Sequence, residues 1–282
     1  MWALSIGLVA ALAWGLHDFL VRRISQGPNV LWQLLVVFVT GTIVLVPLSL
    51  WFGQWPSGSA RSVTLAALAG ASYVAGSYGL YRAFDLAKVR QVAPVIAAYP
   101  IISLIIAAAQ GRAIQVQEWL AVAAVVVGIG IVSALSDDHE QTRVQLRQAL
   151  VWAVVGATGF ATTIAMGQSA ARDSDALSAV VLTRLAAAAI VVLLIALRHP
   201  SSAPARANLK TLIAMGVLDA LALGLVMAAG RLPHAEYAAV GSSLFGLTTI
   251  VLAWQLLGEK LRALQWVGVL IVFAGIARLA VV

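Results

Sequence analysis

The stretch AEYAAVGSSLFGLTTIVLAWQLLGEKLRALQWVGVLIVFAGIAR, Ala235 to Arg278, decides how the chain is read. It holds two long apolar runs separated by Leu257-Gly258-Glu259-Lys260-Leu261, and the second run carries Trp266, Gly268 and Gly275. Moving back 147 positions, Gly258 falls on Gly111, Trp266 on Trp119, Gly275 on Gly128 and Ile276 on Ile129, with apolar residues aligning between them. That period is about half of the 282 residues, so the chain reads as a duplication and not as a solenoid of 20- to 50-residue repeats.

Composition sets the class. With 62% hydrophobic residues, 10% charged and a mean hydropathy of +0.97, water would meet more apolar surface than a soluble globule can hide. Runs of about 20 apolar residues cross a hydrocarbon core of roughly 30 Å as helices, and their continuity excludes the ten-residue alternation of a barrel. The prediction is an all-α integral membrane protein. The net charge of +7 then marks loop ends and anionic headgroups, with membrane lipids and not nucleic acid as partners. Without cysteine there are no disulfides and no thiolate metal sites. The run Trp2 to Val21 lacks a basic start and a small-residue cleavage site, so it reads as a retained span.

Ten spans are predicted, at 2–21, 30–52, 63–84, 91–109, 116–136, 147–169, 176–197, 209–230, 235–257 and 263–281. Short breaks such as Gln26 to Asn29, Trp55 to Gly58, Arg172 to Asp175 and His199 to Pro204 separate them. The most polar break joins spans five and six, which divides the chain into a first repeat, 1–136, a linker, 137–146, and a second repeat, 147–282. Five spans per repeat is an odd number, so the halves would enter the membrane from opposite sides, packed around a central cavity. Loops after odd-numbered spans carry eleven Lys and Arg residues, and those after even-numbered spans, with the C-terminus, carry five. The charge rule thus puts both termini outside the cytoplasm.

Trp14-Gly15 in the first span, Ala87 to Pro94 leading into the fourth, Gly258-Glu259-Lys260-Leu261 after the ninth, and Gln265-Trp266-Val267-Gly268 to Gly275 in the tenth stand at fixed places in a duplicated chain. In this the sequence resembles the drug/metabolite transporter superfamily, specifically its EamA-type exporters. The resemblance covers nearly the whole chain. It implies a multi-pass plasma (inner) membrane carrier for amino acids, other small metabolites or drugs, with a cavity between the halves and both termini in the cytoplasm, against the charge count. The first half departs from the pattern, since Arg112 stands where Glu259 stands in the second.

A central ionisable residue costs roughly 2.5–3.5 kcal/mol to insert and is seldom kept without a partner or a wet cavity. His17 and Asp18 lie within one turn of Trp14 and offer a titratable pair beside an aromatic ring, suited to a substrate ammonium or a coupling proton. The competing reading pairs Asp18 with Arg22 at i+4. Asp219 has no charged neighbour within a turn; it either locks to Arg184 of the seventh span or faces the substrate. In span three, Tyr78, Arg82 and Asp85 share a face, with Tyr73 and Tyr81 nearby. Tyr78, Tyr81 and Arg82 could hold a zwitterion, or Arg82 and Asp85 could pair at the membrane surface beneath an aromatic belt.

Span four carries Pro94, Tyr99 and Pro100; 147 positions on stand Gly241, Gly246 and Leu247, with Ser242 and Ser243 adjacent. Breakers at matched depth mark a binding site, with Tyr99, Ser242 and Ser243 lining it and Pro94, Pro100, Gly241 and Gly246 as hinges; the alternative is close packing through small residues. Asp137-Asp138-His139-Glu140 reads as a solvated linker and not a metal site, and His234 and Glu236 as headgroup-level residues.

These features favour a secondary carrier working by alternating access, monomeric or weakly oligomeric, without cofactors. Amino acids or similar amphipathic metabolites are the first choice of substrate; cationic drugs or a lipid-linked sugar come second. A membrane enzyme would need a reactive set that four scattered histidines do not supply, a channel would need a polar ring, and no phosphate-cradling glycine loop is present to hydrolyse nucleotide.

Overall fold

A computed structural model of the chain describes residues 2–24, 30–53, 59–109, 111, 113–134, 142–200, 208–232 and 236–279. Arg112, Asp137 to Glu140, His234, the side chain of Glu236 and most loop residues between the early spans lie outside these. Among the described residues the structure is all helical: α1 (Trp2–Ile24), α2 (Val30–Phe52), α3 (Ala60–Leu86), α4 (Val89–Ala97), α5 (Tyr99–Ala109), α6 (Val116–Ala134), α7 (Arg143–Asp173), α8 (Ala176–Arg198), α9 (Leu209–Ala228), α10 (Glu236–Ser243), α11 (Phe245–Leu256) and α12 (Ala263–Leu279). Seven helical stretches are long and apolar enough to cross a membrane, the fourth formed by α4 with α5; Val116–Val132, Gly241–Leu256 and Ala263–Arg278 are shorter apolar helices.

Local chemistry sets the helix ends. Ser59 caps α3 by accepting from the Ser62 N–H, Thr142 and Gln145 cap α7 reciprocally, and the Asp175 carboxylate accepts from the N–H groups of Leu177 and Ser178 at the start of α8. Gly111 and Gly258, one after α5 and one after α11, both take positive φ, 93° and 68°. Neither has an atom within 4 Å of where a Cβ would stand, so backbone torsion and not space calls for glycine at these two repeat-related turns.

The apolar helical stretches 89–109 and 236–256 are each divided. At Ala98, the Ala98 N–H bonds the carbonyl of Val95 and the Ile101 N–H that of Ala98; at Leu244, the Leu244 N–H reaches Gly241 and the Leu247 N–H reaches Leu244. Both interruptions are thus one turn tightened to i−3 hydrogen bonding. Pro100 accounts for the first, having no N–H to give to Ile96.

Packing repeats under exchange of the halves. The α3–α7 contact has its twin in α9–α1, α3–α8 in α9–α2, and α4–α11 in α10–α5, while α2–α8 maps onto itself. At the α6–α12 seam a Cβ on Gly128 would stand 2.6 Å from the Gly268 carbonyl and one on Gly275 2.9 Å from that of Ala121, and these two pairs are 147 positions apart. Small residues let the backbones approach so closely. The first half of each broken helix packs on the second half of the other, so the two cross antiparallel. Outward faces are apolar, with Leu12, Ile43, Leu50, Leu120 and Leu197 exposed, whereas Asp18, Arg184 and Asp219 are buried within. That polarity is inverted relative to a soluble protein and suits a lipid surround.

Candidate functional site

Asp219, on α9, is buried and accepts three hydrogen bonds from three other helices. Its Oδ1 accepts from Trp14 Nε1 at 3.1 Å and from the Tyr73 hydroxyl, and its Oδ2 accepts from Arg184 Nη1 at 2.8 Å. Arg184 also donates from Nη2 to the carbonyl of Val37 at 3.0 Å and lies over the Phe38 ring, 5.8 Å from its centroid. It passes where Gly41 has no side chain, since a Cβ there would fall 2.0 Å from Nη2. Three donors, one of them the paired cation Arg184, occupy both oxygens of Asp219, so its first role is to tie α1, α3, α8 and α9 together.

Next to this lock lies a cavity lined by Trp14, His17, Asp18, Ser77, Tyr81, Tyr99 and Asp219, with Phe38, Phe160 and Phe245 among its apolar walls. Its empty volume is about 450 Å3, but only about 20 Å3 admits the centre of a water molecule. Since one water needs roughly 10–15 Å3 of such space, the cavity is closed down almost to the size of a water. His17 Nδ1 lies 2.8 Å from Asp18 Oδ1, and the Tyr81 hydroxyl is 3.5 Å from His17 Nε2. Asp18 is 2% exposed, and its Oδ2 has no hydrogen-bond partner among the described residues. A buried carboxylate oxygen left over in a chamber of aromatic rings can accept a proton or the N–H of a cationic amine. Tyr99 closes another wall, its hydroxyl 2.7 Å from Ser242 Oγ.

The proposed pairing of Asp18 with Arg22 does not form. Arg22 donates from Nε to Glu259 Oε1 at 3.0 Å and from Nη1 to the Phe84 carbonyl at 2.5 Å, because it sits past the apolar run, where the loop after α11 comes within reach. Tyr78 and Arg82 do not line the cavity either. Arg82 pairs with Asp85 at 2.6 Å, partly exposed, and the Tyr78 ring meets Trp152 edge-on; both face a peripheral cleft shared with Arg198. A helix turns about 100° per residue, so the stripe that reaches the cavity on α3 is the neighbouring one, with Tyr73 on Asp219 and Ser77 and Tyr81 on the chamber. Ser242 and Ser243 are both buried, but neither is among the lining residues; Ser242 meets the cavity only through Tyr99. Gly241 and Gly246 serve as contact points, facing Leu4 on α1 and Ala97 on α4, while Pro94 lies inside α4.

The model of the EamA-like transporter family matches residues 1–134 and again residues 147–281. A solved crystal structure superposes with a TM-score of 0.70 and 17% identity over 99% of this chain and 98% of that one, a likeness of fold. No curated protein matches the sequence. Two family matches laid end to end, over an apolar helical chain whose charged groups converge inside, leave one conclusion: the chain belongs to the EamA-like transporter family, multi-pass membrane carriers of small molecules within the drug/metabolite transporter superfamily.

Proposed function

We propose that this protein is a secondary transporter for small amphipathic amines, amino acids among them, exporting them across the plasma membrane by alternating access. Its architecture in this reading is ten spans in two inverted repeats, residues 1–136 and 147–282, joined by the 137–146 linker, with no enzymatic step. The observation that carries it is Asp18 Oδ2, buried in the central cavity without a protein partner while neighbouring Asp219 is saturated. An ammonium group satisfies that oxygen, and the rings of Trp14, Tyr81 and Phe245 line the same chamber as partners for a cation. Cationic drugs share this chemistry and form the second class. A chamber with room for little more than a water requires the halves to part before a metabolite binds, which is the motion alternating access supplies. When the amine leaves, the same oxygen can take a proton, so a proton and a substrate exclude each other, with His17, Tyr81 and Asp219 as the neighbouring groups that tune the exchange.

The test is transport into proteoliposomes of an amine-bearing substrate set and its des-amino analogues. Amines are expected to compete and the analogues not, and Asp18→Asn should lose both the preference for amines and the response to a pH gradient. Equal competition by the des-amino analogues, or an unchanged pH response in Asp18→Asn, would sink the reading.

A further inference from the structure

One ion pair closes the bundle at the end where α1 and α3 finish. Arg22, in the last turn of α1, donates from Nε to Glu259 Oε1 at 3.0 Å and from Nη1 to the Phe84 carbonyl of α3. The other oxygen of Glu259 accepts from the N–H of Val89, the first residue of α4, at 3.0 Å. Turn chemistry delivers this carboxylate: Gly258 takes a positive φ of 68°, and the Glu259 N–H reaches back to the Ala253 carbonyl at 3.2 Å. Arg90, next along α4, donates to the Lys260 carbonyl at 3.0 Å and holds the same turn. Three segments of the first half and one of the second are thereby gathered on Arg22 and Glu259.

We propose that Arg22 and Glu259 are the gate of the chamber on this side, an inference that rests on the alternating-access reading. Two spaces of opposite character meet at the pair. Inward, Asp18 and Tyr81 line the chamber, four residues before Arg22 and three before Phe84, so the pair stands roughly 5–6 Å, one helical turn, beyond them. Outward lies a cleft lined by Arg22, Lys88, Gly258, Glu259 and Lys260, which admits water centres through about 630 Å3, against about 20 Å3 in the chamber. The side chains of Arg22 and Glu259 are 16% and 8% exposed, those of Arg184 and Asp219 0% and 4%. Parting Arg184 from Asp219 strands two charges in an apolar interior, whereas parting Arg22 from Glu259 gives each to a space that holds water. The first pair is built to stay closed and the second to open. At the other end of α1 the halves meet through small apolar residues: Ala3, Ala229 and Ala238 cluster, and a Cβ on Gly7 would stand 2.5 Å from the Ala238 carbonyl. The two ends are sealed by different chemistry, and the duplication does not supply the carboxylate twice, since Arg112 is the counterpart of Glu259.

Ser77→Cys puts a single thiol on the chamber wall of a chain that has no cysteine of its own. Its rate of reaction with an impermeant methanethiosulfonate is measured in intact and in inverted membrane vesicles, with Lys260→Cys, at an exposed position, marking the cleft face. Arg22→Gln or Glu259→Gln is expected to raise the rate from the cleft face by about tenfold without raising that from the opposite face, and the double substitution to add little to either. Arg61→Gln, which breaks the exposed pair with Asp173 at the other end of α3, is the control and should leave both rates within about twofold. Glu259→Asp keeps the charge on a shorter side chain; it should give an intermediate gain, and it keeps the test open if the glutamine variants misfold. Equal gains from both faces, or additive gains, overturn the gate. Reaction from one face alone in every variant removes alternating access and the gate with it, whereas reaction from both faces at rates indifferent to Arg22 and Glu259 overturns the gate only.

Discussion

At the scale of residues, the interior separates a carboxylate that holds the structure from one that faces the cavity. Asp219 has three donors, so removing it strands the Arg184 guanidinium among apolar helices, and removing Arg184 strands Asp219. Each of Asp219→Ala and Arg184→Ala is expected to cost about 3–5 kcal/mol, and the double substitution less than their sum. Unfolding of detergent-purified variants checks this, and additive losses would count against the pair. Sequence spacing made Asp219 and Arg184 legible as partners, because neither has a charged neighbour on its own helix. It misled on α3, where Tyr78, Arg82 and Asp85 form the more polar stripe, while in the i, i+4, i+8 series Tyr73, Ser77 and Tyr81 the last two line the chamber and Tyr73 turns its phenol to Asp219. Polarity of a stripe does not say which way it faces when both the cavity and the membrane rim accept polar groups.

At the scale of elements, the two broken helices are the parts of the fold most open to mechanical test. Pro100→Ala gives residue 100 an N–H that can reach the Ile96 carbonyl and mend α4 and α5 into one helix. Substrate affinity is expected to stay within about twofold while the transport rate falls by roughly tenfold, measured as separate binding and flux in proteoliposomes. An unchanged rate would reduce the break to packing. Gly246→Ala puts a Cβ 2.8 Å from that of Ala97, so it should separate α11 from α4 and lower the unfolding midpoint. Helix ends were legible within about four residues, because long apolar runs announce themselves; the Ser59 and Thr142 caps escape that reading, and with them α3 and α7 begin three and four residues before the predicted runs. The division at Leu244 was legible only through the repeat: no proline stands there, and glycine in a membrane helix signals close packing as readily as a break.

At the scale of the whole molecule, contacts that recur under exchange of the halves make the inverted arrangement testable. Arg61, in the first turn of α3, and Asn208, just before α9, are 147 positions apart. Single cysteines there, in a chain that has none of its own, should react with an impermeant maleimide from opposite sides of intact vesicles. Reaction from one side would rule out the inverted reading, and the side on which Arg61 reacts decides between the charge count and the family orientation. The duplication does not extend to the cavity: Trp14, Asp18 and Arg184 stand opposite Ala161, Ala165 and Val37 in the other half, and Asp219 opposite Ser72. A carrier of two equal halves would meet its substrate identically from either face. In the alternating-access reading, with every charged group of the chamber present only once, the inward-open and outward-open forms differ in energy, so half-saturation should differ between the two faces while the equilibrium ratio stays fixed by the gradients. In such a molecule kinetics sets which face loads more readily, while the gradients set which way net transport runs: a symmetric frame made two-faced by the chemistry it did not copy.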